Sequence, residues 1–296
     1  MLALSTGSLY TYGLDRVFGL AKEAGFDGIE VLLDGRWDTR QADYLRHLRD
    51  SYGLPVVSLH SPFHLIWVPG WEQDPIWRLK RTVELAEALS ARVVVAHPPL
   101  GWLRISLRVT GASSARGFWV GLPLSWFVGR SHARWLCDEL ESFQRETEVT
   151  IAVENMPRLQ IGPLGFDLYQ MTHLETLERF RHLTLDTTHL ATRGMDIIQT
   201  YERLAGRVAH IHLSNYNGRE HRLPWDGPLP LADFLRRFAQ DDYGGIVTLE
   251  LQPEALGAGG DDQQVLANLR AAVDFYRRYF GGEGGLVNAN ESGEEV

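Results

Sequence analysis

Six consecutive segments of strand-like composition end in, or next to, a side chain that can bind a metal ion. These side chains are three imidazoles and three carboxylates, namely His60, His97, Glu154, Asp186, His212 and Glu250. A single histidine at a strand end is usually structural, but burying several carboxylates together is costly unless a cation balances their charge. Carboxylate and imidazole ligands suit Zn, Mn, Fe or Co, and the carboxylates also accept Mg. The sequence therefore predicts a divalent metal site.

The elements that carry these side chains are eight strand-then-helix units. Short β-rich runs alternate with segments in which apolar residues recur at intervals of three and four, which is typical of helices. Continuous apolar strands that alternate with helices indicate a parallel sheet covered by helices. The predicted strands are residues 2–6, 27–32, 55–60, 92–97, 149–154, 182–186, 207–213 and 245–251.

Length and repeat number favour a closed barrel within the α/β class. Eight such units match the size of a single (β/α)8 TIM barrel, which we expect over residues 1–280. A doubly wound open sheet is the alternative, but no glycine-rich phosphate turn follows the first predicted strand. In a (β/α)8 barrel the carboxyl ends of the strands surround the active site, so the six side chains should converge.

Two stretches fall outside the repeat. Residues 98–130 are predicted to form a long loop after the fourth strand, and long loops in compact domains are usually functional or mobile. Residues 281–296 are rich in Gly and Glu and are predicted to be a disordered acidic tail.

Composition excludes several classes of function. The 296 residues contain a single cysteine, Cys137, so a disulfide framework is excluded and a cytoplasmic location is expected. No apolar run approaches the roughly 18 residues of a membrane span. The net charge of −9 argues against a broad nucleic-acid surface, although a local basic patch remains compatible with it. Exposed loop tryptophans permit a homodimer without requiring one.

Taken together in order and spacing, seven motifs resemble the xylose isomerase-like TIM barrel superfamily. This superfamily includes sugar isomerases, sugar epimerases and the endonuclease IV enzymes that cleave abasic DNA. The motifs are AGFDGIEV (24–31), VSLHSPF (57–63), VVVAHPP (93–99), IAVENMP (151–157), LDTTHLATRGMD (185–196), HIHLSN (210–215) and VTLELQPE (247–254). Each motif is weak on its own, and together they are specific for the superfamily but not for one reaction.

The resemblance implies a role for each matching residue. Glu154, Asp186, His212 and Glu250 match the four ligands of the catalytic metal in the epimerase-like members. In those members the two glutamates also move a proton through an enediolate, and the residue that matches His189 contacts a substrate oxygen. The implied activity is a metal-dependent isomerase or epimerase of a sugar, sugar phosphate or related keto-polyol. The implied cofactor is one Mn, Zn, Co or Mg ion.

The endonuclease IV pattern is the main alternative. That family binds three zinc ions through nine ligands, and eight of them have counterparts here, including His60, His97, His189 and His221. The ninth ligand should be an aspartate two residues before His221, where this chain has Arg219, which cannot bind zinc. A second zinc ion could still bind through His60 and His97, or these histidines could contact substrate. A barrel that binds metal or sugar without turnover is the third reading.

Four further residues are candidates for substrate binding. Glu30 ends the second predicted strand and could contact substrate or support a ligand. Arg219 and Arg222 could anchor a hydroxyl or phosphate group, and Trp225 could stack on a sugar ring.

Overall fold

Eight parallel strands close into a barrel in this computed structural model. Around the barrel the strands follow the order 2–5, 246–249, 208–213, 183–186, 150–154, 93–96, 56–60 and 28–32, so consecutive units are neighbours throughout. The structure describes residues 1–107, 119–123, 126–161 and 164–281, with side chains outside 102–128 and 160–164. The predicted (β/α)8 architecture is confirmed, while the acidic tail predicted from residue 281 lies almost wholly outside the described residues.

The barrel strands start and end within two residues of the predicted positions. Their alternate side chains face the helices and the barrel interior, and nearly all are buried, which explains their continuous apolar runs. In chain order the described strands are β1 Leu2–Ser5, β2 Gly28–Leu32, β3 Val56–His60, β4 Val93–Ala96, β5 Leu100–Leu107, β6 Trp119–Pro123, β7 Thr150–Glu154, β8 Leu159–Ile161, β9 Leu164–Tyr169, β10 Leu183–Asp186, β11 Val208–Leu213 and β12 Ile246–Leu249.

Helices cover the outside of the barrel, and glycines end several of them where the chain must reverse. Gly25 and Gly53, for example, adopt φ of 92° and 57° directly after the helices Leu14–Ala24 and Ala42–Tyr52, a conformation that favours glycine. The described helices are α1 Leu14–Ala24, α2 Ala42–Tyr52, α3 Pro75–Leu89, α4 Trp126–Asp138, α5 Leu140–Gln144, α6 Leu174–Leu177, α7 Thr187–Thr192, α8 Ile197–Leu204, α9 Leu231–Gln240, α10 Pro253–Leu256 and α11 Asp262–Phe280. Among the described residues, no helix has the length and apolar character needed to cross a membrane.

A second sheet corrects the expectation of a long loop over residues 98–130. Strands β5 and β6 lie within that stretch and join β9 and β8 in a four-stranded antiparallel sheet of order β6-β5-β9-β8. Ile105 pairs with Val120 on one side and with Phe166 on the other. The chain after β4 and the chain after β7 therefore build one structure beside the carboxyl end of the barrel.

A small apolar layer closes the barrel below the polar residues. Ala3, Val57, Val93, Ala152 and Ile246 form a buried cluster separate from the main core between barrel and helices. Because side chains alternate along a strand, Ala152 shares the inward face of β7 with Glu154, nearer the amino end. The polar side chains are thus confined to the carboxyl half of the barrel.

Candidate metal centre

The six strand-end side chains converge at the carboxyl end of the barrel, as their positions predict. Five of them are 3% exposed or less, and the side chain of Glu250 is 12% exposed. His60, Glu154 and Asp186 are the last residues of β3, β7 and β10, and His212 is the next to last of β11. His97 and Glu250 directly follow β4 and β12.

Three carboxylates surround one nitrogen of His212. Its Nδ1 atom lies 2.9 Å from Glu154 Oε1, 3.0 Å from Glu250 Oε2 and 3.6 Å from Asp186 Oδ2. Each of these four residues offers a ligand atom within 4.8 Å of the others. Glu154 Oε2 and Asp186 Oδ2 are buried and have no hydrogen-bond partner among the described residues. Buried, unpartnered carboxylate oxygens are what a cation would satisfy, so the donor set fits a divalent metal ion.

The same arrangement makes His212 a proton-binding site when no cation is bound. Burial lowers the pKa of His212, but Glu250, Glu30, Asp186 and Glu154 together raise it well above its usual value. The pKa of Glu154 and the pKa of Asp186 are lowered despite burial, by His212 and His189. An imidazolium proton and a metal ion therefore compete for Nδ1.

His60 and His97 present their second nitrogen to Glu154. Their Nδ1 atoms lie 3.0 Å from the Ser61 carbonyl and 3.4 Å from the Ser61 hydroxyl, respectively. Their Nε2 atoms lie 3.9 and 3.6 Å from Glu154 Oε2. Burial and the neighbouring histidines hold the pKa of His97 well below its usual value, so it is neutral. A neutral imidazole can bind a metal ion or hydrogen-bond a substrate.

The loop after β3 covers these two histidines. The ring of Phe63, half-buried, lies 4.8 Å from His97 at an interplanar angle of 23° and 5.1 Å from His60. Arg78 of α3 is 2% exposed and holds this loop by donating to the carbonyls of Phe63, Ile66 and Glu72. Phe63 therefore gives the site an apolar wall.

Asp186 and Asn155 fix the far side of the cluster. Asp186 caps α7, since its Oδ1 accepts from the N–H of His189 at 2.8 Å and from the Thr188 hydroxyl at 3.1 Å. The Asn155 side chain accepts from the backbone N–H of Asp186 and donates to its carbonyl, at 2.7 and 3.0 Å. His189 Nδ1 lies 2.8 Å from the Asn155 carbonyl and donates to it. The Nε2 atom of His189 then faces the site, 3.9 Å from Glu220 Oε2.

Three residues of the cluster were missed by sequence reasoning. His210 and Ser58 lie below His212 and contact Glu30, and Glu220 lies 3.9 Å from Nε2 of His189. His210 and Ser58 could have been found, because each lies two residues before a strand-end histidine and so shares its face of the strand. The position of Glu220 depends on a loop with left-handed backbone at Gly218 and His221.

The substrate-binding candidates are placed differently from one another. Glu30 is fully buried, beneath His212. His221 joins the cluster, with its ring 5.5 Å from that of His189 and its Nδ1 4.0 Å from Glu250 Oε2. Arg219 is exposed. The guanidinium of Arg222 pairs with Asp226 and Glu254, and Trp225 is 47% exposed with its ring 6.5 Å from Phe275 of α11.

Comparison with known proteins identifies the family. The profile of the xylose isomerase-like TIM barrel family matches residues 18–279. An uncharacterized protein of Mycobacterium leprae is 26% identical over 307 residues, covering 94% of this chain and 97% of that protein. A 3-keto-D-glucoside 4-epimerase from E. coli superimposes with a TM-score of 0.64 at 16% identity, over 92% of this chain and 98% of that one. A D-psicose 3-epimerase from Clostridium cellulolyticum H10 gives 0.64 at 12% identity, over 94% and 99%. The chain belongs to the xylose isomerase-like TIM barrel family.

Proposed function

We propose that this protein is a divalent-metal-dependent isomerase or epimerase of a small polyhydroxylated carbonyl compound, a sugar or related keto-polyol. The observation that carries the proposal is the pair Glu154 and Glu250, whose carboxylates both reach Nδ1 of His212, at 2.9 and 3.0 Å. Epimerisation next to a carbonyl needs one group to remove a proton and another to return it. Two carboxylates converging on one point from different strands meet that need.

The ligand set assigns a task to each residue of the cluster. Glu154, Asp186, His212 and Glu250 would hold the ion. Bound there, a divalent ion withdraws electron density from adjacent carbonyl and hydroxyl oxygens and so acidifies the carbon-bound proton. Glu250, at 12% side-chain exposure, is the more accessible of the two glutamates, and Glu154 is 1% exposed. Each would exchange a proton with one face of the substrate carbon.

The surrounding residues would orient the substrate and exclude water. His189, with Nδ1 bound to the Asn155 carbonyl, can direct Nε2 to a substrate oxygen. Phe63 shields one side of the site. Arg222 is already paired with Asp226, so recognition of a phosphate group by this residue would require breaking that pair.

Proton exchange with solvent tests the proposal. The metal-loaded protein is incubated in D2O with a panel of ketopentoses and ketohexoses, and loss of the α-proton signal is followed by NMR. We expect exchange with at least one ketose, and Glu250→Gln should abolish it while the fold persists. Glu254→Gln is the matched control, since Glu254 is exposed and lies four residues later. Exchange that survives in Glu250→Gln would remove the assigned role, and a wild-type protein inert toward the whole panel would contradict the proposal.

A second candidate is a zinc phosphodiesterase of the endonuclease IV kind. Two further groups of potential metal ligands support it. His60, Glu154 and His212 form one group, and Asp186, His189 and His221 form the other; within each group the ligand atoms lie within 4.8 Å of one another. Several zinc ions could then activate water against a phosphate. Chelator-sensitive nicking of a duplex with one abasic site would establish this activity, and no cleavage at micromolar enzyme with added zinc would exclude it.

A further inference from the structure

A second layer of polar side chains lies beneath the strand-end cluster, on the barrel side away from solvent. It consists of Glu30 on β2, Ser58 on β3, His210 on β11 and Thr248 on β12, all 0% exposed. Each lies on the strand interior rather than at its end. The ring of His212 separates Glu30 from the carboxylates of Glu154 and Glu250, since its two nitrogens contact opposite sides of this arrangement.

Both oxygens of the Glu30 carboxylate are engaged. Oε1 lies 3.1 Å from Nε2 of His212, and Oε2 lies 3.1 Å from Nε2 of His210. Oε2 also accepts from the Ser58 hydroxyl at 2.8 Å. The carboxylate of Glu30 thus meets a histidine nitrogen at each oxygen and a hydroxyl at one of them, and it accepts these hydrogen bonds.

An acceptor at Nε2 determines what the opposite nitrogen of His212 can do. A neutral imidazole carries one proton, and the Glu30 carboxylate keeps that proton on Nε2. The lone pair is then on Nδ1, the atom that faces Glu154, Glu250 and Asp186. The Nε2 atom of His210, which contacts Glu30, also lies 2.8 Å from the Thr248 hydroxyl. His210 and Ser58 therefore hold Glu30 Oε2 in place.

We propose that Glu30, clamped by His210 and Ser58, is a positioning residue that fixes Nδ1 of His212 as the metal-binding atom. This inference rests on the metal site of the proposed function. Of the two roles that the sequence leaves open for Glu30, it favours support of a ligand over contact with substrate. Carboxylates that orient a metal-binding histidine in this way commonly change metal affinity by about 10- to 100-fold.

Metal affinity of Glu30→Gln tests the proposal without any turnover. The amide keeps the shape of the carboxylate, but its NH2 group meets a histidine N–H where the wild type offers an acceptor. After chelator treatment, the dissociation constants for Mn2+ and Zn2+ are measured by competition with a chromophoric chelator. We expect binding about 10- to 100-fold weaker than wild type. Asp27→Asn is the matched control, because Asp27 directly precedes the same strand and accepts from the Leu2 N–H at the amino end of β1, away from the cluster.

Two further measurements keep the test decisive if Glu30→Gln folds poorly. Ser58→Ala removes one donor to Glu30 without a change of charge and should weaken metal binding by a smaller factor. In the zinc-loaded wild-type protein, 15N NMR of the imidazoles should show a histidine with a protonated Nε2 and a metal-bound Nδ1. A metal-bound Nε2 at His212, or wild-type affinity in Glu30→Gln, would overturn the inference.

The outcomes separate this inference from the proposed function. Tight metal binding that depends on Glu30, with no proton exchange on any ketose, would contradict the proposed function and leave the role of Glu30 standing. Proton exchange by the wild type, together with unchanged metal affinity in Glu30→Gln, would contradict the role of Glu30 and leave the proposed function standing. A wild-type protein that binds no divalent ion would overturn both.

Discussion

Asp186 caps α7 and is a proposed metal ligand, and two substitutions can separate these roles. Its Oδ1 caps α7 through the His189 N–H and also accepts from the Thr188 hydroxyl, whereas its Oδ2 is unpartnered and directed toward His212. Asparagine caps a helix about as well as aspartate, but its neutral amide is a poor metal ligand. Asp186→Asn should therefore remove the metal-binding role alone, and Asp186→Ala should remove both.

The magnitudes follow from these contacts. Loss of the cap costs about 1 kcal/mol, and loss of the hydrogen bond to Thr188 costs about 1 kcal/mol more. Asp186→Ala should thus lower the unfolding free energy of the metal-free protein by about 2 kcal/mol, or Tm by roughly 3 °C. Asp186→Asn should stay within about 1 kcal/mol of wild type. Both variants should bind Mn2+ and Zn2+ at least about 100-fold more weakly than wild type, since loss of a ligand should exceed the effect of losing an outer partner.

Metal titration and chemical denaturation of the chelator-treated proteins measure the two effects separately. Asp196→Ala is the control for capping, because Asp196 caps α8 through the N–H groups of Ile198 and Gln199 away from the cluster. It should lose about 1 kcal/mol of stability and retain wild-type metal affinity. Wild-type metal affinity in Asp186→Asn would refute the four-ligand site, and equal destabilisation in Asp186→Asn and Asp186→Ala would refute the account of the cap.

Three other predictions concern stability. The pKa of His212 is higher in the folded than in the unfolded protein, so its protonation stabilises the folded state. This stabilisation is fully present below the unfolded pKa of about 6.5 and is lost as pH rises through the pKa of the folded state. The metal-free protein should therefore be less stable at pH 9 than at pH 6. Urea unfolding at the two pH values checks this, and an equal loss in His212→Gln would contradict it. Arg78→Ala should lower the free energy of unfolding by about 3 kcal/mol, because three loop carbonyls lose a buried donor. The control is Arg81→Ala, an exposed position one turn later, which should stay within about 0.5 kcal/mol of wild type. A loss below about 1 kcal/mol for Arg78→Ala would refute the prediction for this residue. Metal at about 1,000 times its dissociation constant should stabilise the wild type by about 4 kcal/mol, and a chelator should reverse the shift; a Tm indifferent to both would contradict the site.

The barrel and the strand-end cluster could be predicted because both follow from local periodicity. Apolar runs and glycine punctuation locate the strands, and a parallel barrel brings all carboxyl ends to one face. His60, Glu154 and Asp186 therefore converge without any knowledge of long-range contacts. The bounds of the barrel domain and the roles of the site residues stay predictions.

The accessory sheet could not be predicted, because its register joins distant segments. Ile105 pairs with Phe166, and no local pattern specifies a partner about sixty residues away. Glu220 was missed for a related reason, since the path of its loop decides whether it faces solvent or His189. The position of Glu30 on β2 could be predicted from the sequence. Its burial and its contacts with His210 and Ser58, on which its proposed role depends, could not, because these residues come from separate strands.

Metal content per chain tests the central claim most directly. The protein is purified without added metal, and elemental mass spectrometry is applied to the wild type and to Asp186→Asn in parallel. We expect one Mn, Co, Mg or Zn ion per wild-type chain and a large loss of that ion in the variant. Absence of any divalent ion in the wild type, even after incubation with each metal and removal of the excess, would contradict it.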